Sequence, residues 1–82
     1  MNDELLLSIL EEIFRSVLNN NTLLLDIDSS PNDIEEWDSL NQLNLIKAIE
    51  ERFKIKFNLA EILEFEQVND IMTAILAKLP EA

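Results

Sequence analysis

The chain has 82 residues, 48% of them hydrophobic, and its 17 acidic and 6 basic side chains leave a net charge of -11; this length builds one small core and excludes a two-domain enzyme. It holds no histidine, cysteine, tyrosine or glycine, which excludes zinc sites, thiol chemistry, disulfides, an imidazole base and glycine-rich phosphate loops from within the chain. The charge repels nucleic acid and anionic bilayers and attracts proteins rich in lysine and arginine.

A first helix is predicted over residues 3–19. Leu5, Leu6, Ile9, Leu10, Ile13, Phe14 and Val17 recur at threes and fours, with Glu4, Ser8, Glu11, Glu12 and Arg15 opposite. Asn2 or Asp3 suits its start, and the run Asn19, Asn20, Asn21 favours a stop because asparagine tolerates the left-handed conformation at helix ends. The acidic start of the chain and the short apolar runs at residues 5–7 and 23–25 fit neither an export signal nor a membrane span. The expectation is a cytoplasmic protein without membrane insertion.

Residues 20–38 follow as a long loop with no sustained period. Asp26, Asp28, Ser29, Ser30, Pro31, Asn32 and Asp33 are turn formers, and Leu24, Leu25, Ile27 and Ile34 are expected to anchor the loop to the core. Asp26, Asp28, Ser30 and Asn32 alternate as calcium ligands would. However, Pro31 stands where such a loop needs glycine, and Trp37 where it needs a closing glutamate. The motif is broken at both essential points, and no metal site is expected.

A second helix is predicted over residues 39–53 with the stripe Leu43, Ile46, Ile49 and Phe53, leaving Leu40 about 120° away from Ile46 and exposed. Residues 53–57 alternate briefly but lack a pairing partner. A short third helix is predicted over residues 59–64, where Asn58 and Glu61 have capping-box spacing. A last helix over residues 67–79 turns Val68, Ile71, Met72, Ile75, Leu76 and Leu79 inward, with Pro80 as its stop. The fold class is therefore all-α, a single four-helix bundle with a long loop between its first two helices.

One constellation lies where the long loop meets the second helix: Trp37, Asp38, Ser39 and Leu40. Capping alone accounts for part of it. Ser39 with Gln42 three residues on has capping-box spacing, and Asp38 beside a helix N-terminus is electrostatically favoured.

Asp38-Ser39-Leu40, continued by Asn41-Gln42-Leu43-Asn44-Leu45-Ile46-Lys47-Ala48-Ile49-Glu50-Glu51-Arg52-Phe53, resembles the attachment motif and second helix of acyl carrier proteins. The order of the other elements resembles that family over nearly the whole chain. The resemblance implies that Ser39 carries 4′-phosphopantetheine, with Asp38 and Leu40 as its motif neighbours. It implies a carrier that is not itself an enzyme and whose cofactor thiol holds acyl or aminoacyl groups as thioesters. Its partners would be a phosphopantetheinyl transferase and acyl- or aminoacyl-loading and acyl-transferring enzymes with basic docking patches. The chain would act as a monomer.

The residue chemistry is consistent with that role, since a separate transferase can activate the serine and the reactive thiol arrives with the cofactor. Where many family members have glycine or alanine before the motif and acids early in the second helix, this chain has Trp37, Asn41 and Asn44, with Lys47 beyond. Partner contact is therefore expected from Leu40 and from an acidic pair displaced to Glu50 and Glu51. The pathway stays open between fatty-acid synthesis and a specialised lipid or secondary-metabolite route. The competing reading is an acidic helical adaptor in which Ser39 is only a helix cap.

Overall fold

A computed structural model describes residues 2–79. It contains four helices and, among the described residues, no strand: α1 (Asp3–Val17), α2 (Ser39–Phe53), α3 (Leu59–Glu64) and α4 (Val68–Lys78). Pro80, expected to stop the last helix, lies outside the described residues.

Each helix begins and ends for a local reason. Asn2 caps α1 by accepting from the Leu5 N–H at 2.7 Å. The helix closes two residues before the expected end: Asn19 turns left-handed (φ 54°), and the Asn20 N–H reaches back to the Arg15 carbonyl at 3.0 Å. α2 ends the same way on a less suited residue. Lys54 adopts φ 56°, and the Ile55 N–H bonds the Glu50 carbonyl at 3.1 Å. Asn58 and Glu61 form the expected capping box of α3, with reciprocal bonds of 2.8 and 3.0 Å.

The core is one cluster of buried side chains from α1, α2, α4, the long loop and the linker after α2, with α1 packed most extensively on α2 and α3 contributing only partly buried ones. Two expected stripe residues turn outward. Leu5 is exposed because it stands about 140° around α1 from Leu10. Leu43 is 59% exposed, and Leu45 takes its place inside. The buried face of α2 centres on Ile49, with Leu45 and Ile46 on either side, and Leu43 stands about 120° from that centre. On α4, Val68, Ile71, Met72 and Ile75 are buried and Leu76 partly so, as the period requires; Gln67 and Leu79, expected within the helix, are its caps, and Leu79 is partly buried.

The long loop, residues 18–38, is an ordered set of turns tied to the start of α4 and to α1. Of its four expected anchors only Leu25 and Ile34 are buried; Leu24 is 80% exposed and Ile27 also faces outward. Backbone bonds do the work that Ile27 was expected to do. The Val68 and Asn69 N–H groups, otherwise without acceptors in the first turn of α4, donate to the Ser29 and Ile27 carbonyls at 2.9 and 3.0 Å. On the other side, Glu11 accepts the Leu25 N–H at 2.9 Å, and Arg15, paired with Glu11 at 3.3 Å, donates to the Leu23 carbonyl at 2.7 Å. Residues of the calcium-like set serve the loop itself: Asp26 accepts from the Asp28 N–H and the Ser29 hydroxyl, and Ser30 donates its N–H and hydroxyl to Asp33, which lies outside the set.

Candidate functional site

The loop delivers Trp37 into the core and Ser39 onto the surface two residues later. Trp37 is 2% exposed, packs edge-on against Phe14 with ring centroids 5.0 Å apart, and donates its indole N–H to the Gln42 side chain. Its burial fixes the chain immediately before α2. Glu36 adds to this by accepting from the Asn20 amide, while its carbonyl accepts from the Asn41 amide at 2.8 Å.

Asp38, not Ser39, is the N-cap of α2. Its carboxylate accepts the Asn41 N–H at 2.8 Å, and its carbonyl accepts the Gln42 N–H at 2.8 Å. The capping box expected of Ser39 and Gln42 does not form, because Gln42 is taken by Trp37 and Ser39 stands one residue inside the helix. Ser39 is exposed, and its hydroxyl has no part in the cap. At this position the Ser39 and Leu40 N–H groups belong to the first turn, which has no intrahelical acceptors, and the helix dipole is positive there.

An apolar hollow of about 580 Å³ opens beside Ser39 between α2 and α3, walled chiefly by Trp37, Leu43, Leu59, Ile62, Leu63 and Phe65. Leu43, Leu59 and Leu63 are all more than half exposed, so α2 and α3 present unpartnered apolar side chains to the same opening. Leu40 is 69% exposed on the outer side of the serine, about 180° around α2 from Ile49. The sequence pattern does not reveal the hollow, because it places Leu43 in the core and gives α3 no face. The outward residues of α3 at Leu59 and Leu63, four apart, were the available signal.

The family model described as "Phosphopantetheine attachment site" matches residues 8–75. The chain belongs to that family, the acyl carrier proteins. The solution structure of a holo acyl carrier protein from Geobacter metallireducens is 39% identical, covering 88% of this chain and 83% of that one at a TM-score of 0.82. A proposed acyl carrier protein from Mycobacterium tuberculosis shares the fold at a TM-score of 0.77 and 18% identity, covering 85% of this chain and 93% of that one. Among curated proteins no match is found. The cofactor of this acyl carrier protein family member is covalently attached 4′-phosphopantetheine.

The residues at the head of α2 fit such a group. An exposed hydroxyl stands at a helix N-terminus, where free N–H groups favour a phosphodiester, and an apolar hollow lies alongside. The expected acidic pair at the other end of α2 is less available. The Glu50 carboxylate accepts the Phe57 N–H at 2.8 Å and is half-buried, which ties the linker after α2 to the helix; Glu51 is exposed.

Proposed function

We propose that this chain is a carrier, not itself an enzyme, that holds acyl or aminoacyl groups on phosphopantetheine attached to Ser39 and presents them to other enzymes. The observation that carries the reading is the division of labour at the head of α2: Asp38 caps the helix and leaves the Ser39 hydroxyl exposed and uncommitted. The adaptor reading needed Ser39 as the cap, and that role is already filled.

The chain's own residues supply position rather than catalysis. Trp37 and Asp38 fix the serine at the start of a rigid helix, and the first-turn N–H groups favour the anionic link formed there. When bound, the cofactor supplies a thiol on which the cargo is carried as a thioester. The hollow beside Ser39, lined by Leu43, Leu59, Ile62, Leu63 and Phe65, suits an apolar cargo. Leu40, outside that hollow, offers an apolar contact to an enzyme approaching the serine. The pathway is fatty-acid synthesis or a specialised lipid or secondary-metabolite route.

Intact-protein mass tests the assignment. Incubated with coenzyme A and a broad-specificity phosphopantetheinyl transferase, the native chain should gain one cofactor mass and Ser39→Ala none. Leu40→Ala should gain it more slowly. A mass gain on Ser39→Ala would place the attachment at another hydroxyl.

A further inference from the structure

The charge along this acidic molecule is distributed very unevenly. Residues 47–56 hold four of the six basic side chains, Lys47, Arg52, Lys54 and Lys56, against two acids, Glu50 and Glu51. The other seventy-two residues hold the remaining two basic side chains and fifteen acidic ones. Those two, Arg15 and Lys78, are already paired with Glu11 and Glu61. The four clustered ones are exposed, and none of the ion pairs among the described residues involves them.

Local structure concentrates the cluster on one side. Lys47, Glu50, Glu51 and Lys54 are spaced 3, 4 and 7 along α2 and share a face. The left-handed turn at Lys54 then brings Lys56 to the same place, so that Lys47, Lys54 and Lys56 border one open hollow of about 590 Å³ with the two glutamates. Glu50 is held against the Phe57 N–H and half-buried, so the charges projecting here are three lysines against the one exposed glutamate, Glu51, and the net sign is positive. Around the helix axis Lys47 and Lys54 fall within about 80° of Ser39, and Lys54 lies about 22 Å further along it. The accessible side of α2 thus runs from the attachment serine through exposed Leu40 and Leu43 to a basic end.

We propose that this basic end is a docking surface for a protein partner bearing acidic side chains about 20 Å from the point where it engages Ser39. The partner's patch is then of mixed sign, acidic opposite Lys47, Lys54 and Lys56, and basic opposite Glu35 and Asp38 beside the serine. A polyanion such as nucleic acid or an anionic membrane is disfavoured, because its repeating charge would meet the acidic remainder of the molecule as well as this patch. Glu50 and Glu51 therefore act within a basic surface rather than as an acidic docking pair. The approach of the partner to Ser39 rests on the carrier reading; the charge pattern does not.

The test is a residue-resolved titration of the isotopically labelled full chain by NMR at about 0.1 M salt, where screening over about 10 Å isolates the patch from the acidic remainder. An octaglutamate peptide should shift amides of residues 47–56, and an octalysine peptide those near Glu35, Glu36 and Asp38. Lys47→Glu, Lys54→Glu and Lys56→Glu together should weaken octaglutamate binding about tenfold or more. The triple glutamine variant keeps the test valid if the reversal disturbs folding. Octaglutamate shifts that are absent from 47–56, or scattered over the chain, would overturn the proposal, as would tighter binding of duplex DNA or phosphatidylglycerol vesicles to the same lysines. A chain that refuses the cofactor yet binds octaglutamate here refutes the carrier reading and retains the surface. One that takes the cofactor but binds octaglutamate nowhere refutes the surface alone.

Discussion

Adjacent residues at the head of α2 differ in structural commitment, and their substitutions should separate accordingly. Asp38 holds the cap through its bond to the Asn41 N–H, so Asp38→Ala should cost about 1 kcal/mol. In a domain of this size that lowers Tm by roughly 4–8 °C. Ser39→Ala removes a hydroxyl that caps nothing and places a better helix former in the first turn, so thermal melts should show no loss of stability. If Ser39→Ala were instead the more destabilising of the two, the assignment of the cap would be wrong. Spacing alone could not decide this, because Asp38 and Ser39 are both good capping residues and stand next to each other. The deciding fact is tertiary: Trp37, buried against Phe14, takes Gln42 as its partner and leaves Ser39 without the far half of a capping box.

At the scale of the elements, helix ends carry costs and gains that are open to measurement. Lys54 sits left-handed in a chain that has no glycine to offer, and that conformation costs a residue with a Cβ about 1 kcal/mol. Lys54→Gly should therefore raise the denaturant midpoint, with most of that cost recovered and the m-value unchanged. At α3 the Glu61 carboxyl is held below the usual carboxylate range, first by the Asn58 N–H and then by Lys78. A depressed folded pKa gives stability that is present above the unfolded value and lost as pH falls through the folded one, so this contribution should begin to fall as pH drops past the ordinary glutamate value of about 4.3 and be gone only below the folded one. Thermal melts of Glu61→Gln should show a shallower loss of Tm over that acid range than the native chain; parallel curves would mean the box and ion pair contribute no pH dependence. The helices themselves were legible because their apolar residues keep a 3.6 period and their caps are spelled out, as at Asn58. The faces were less so. Leu43 against Leu45 and Leu24 against Leu25 are the same residue type one or two places apart, and which one is buried depends on how α1 and the loop lie against them.

For the molecule as a whole, the dominant electrostatic fact is self-repulsion. A net charge of -11 stands on 82 residues, and among the described residues only Arg15–Glu11 and Lys78–Glu61 relieve it as ion pairs. Raising salt from about 10 mM to about 0.5 M shortens the screening length several-fold, so Tm should rise with sodium chloride. A fall would show that the two ion pairs outweigh the repulsion. The same reasoning qualifies any substitution used as a neutral control. Glu11 looks like one surface acid among many, but it holds the Leu25 N–H, and reversing it would loosen the loop that positions Ser39.

The single tryptophan of the chain lies in the wall of the hollow beside Ser39, shielded from water, with its indole N–H engaged and one edge against Phe14. Such an indole is an intrinsic fluorophore at the point where cargo would lie. An apolar chain entering between Leu43 and Phe65 should displace water from the exposed rim of the hollow and change the emission of Trp37, whereas a cargo held out in solvent should leave it unchanged. The spectrum of the unlabelled protein is then a direct optical record of whether this carrier shelters what it carries.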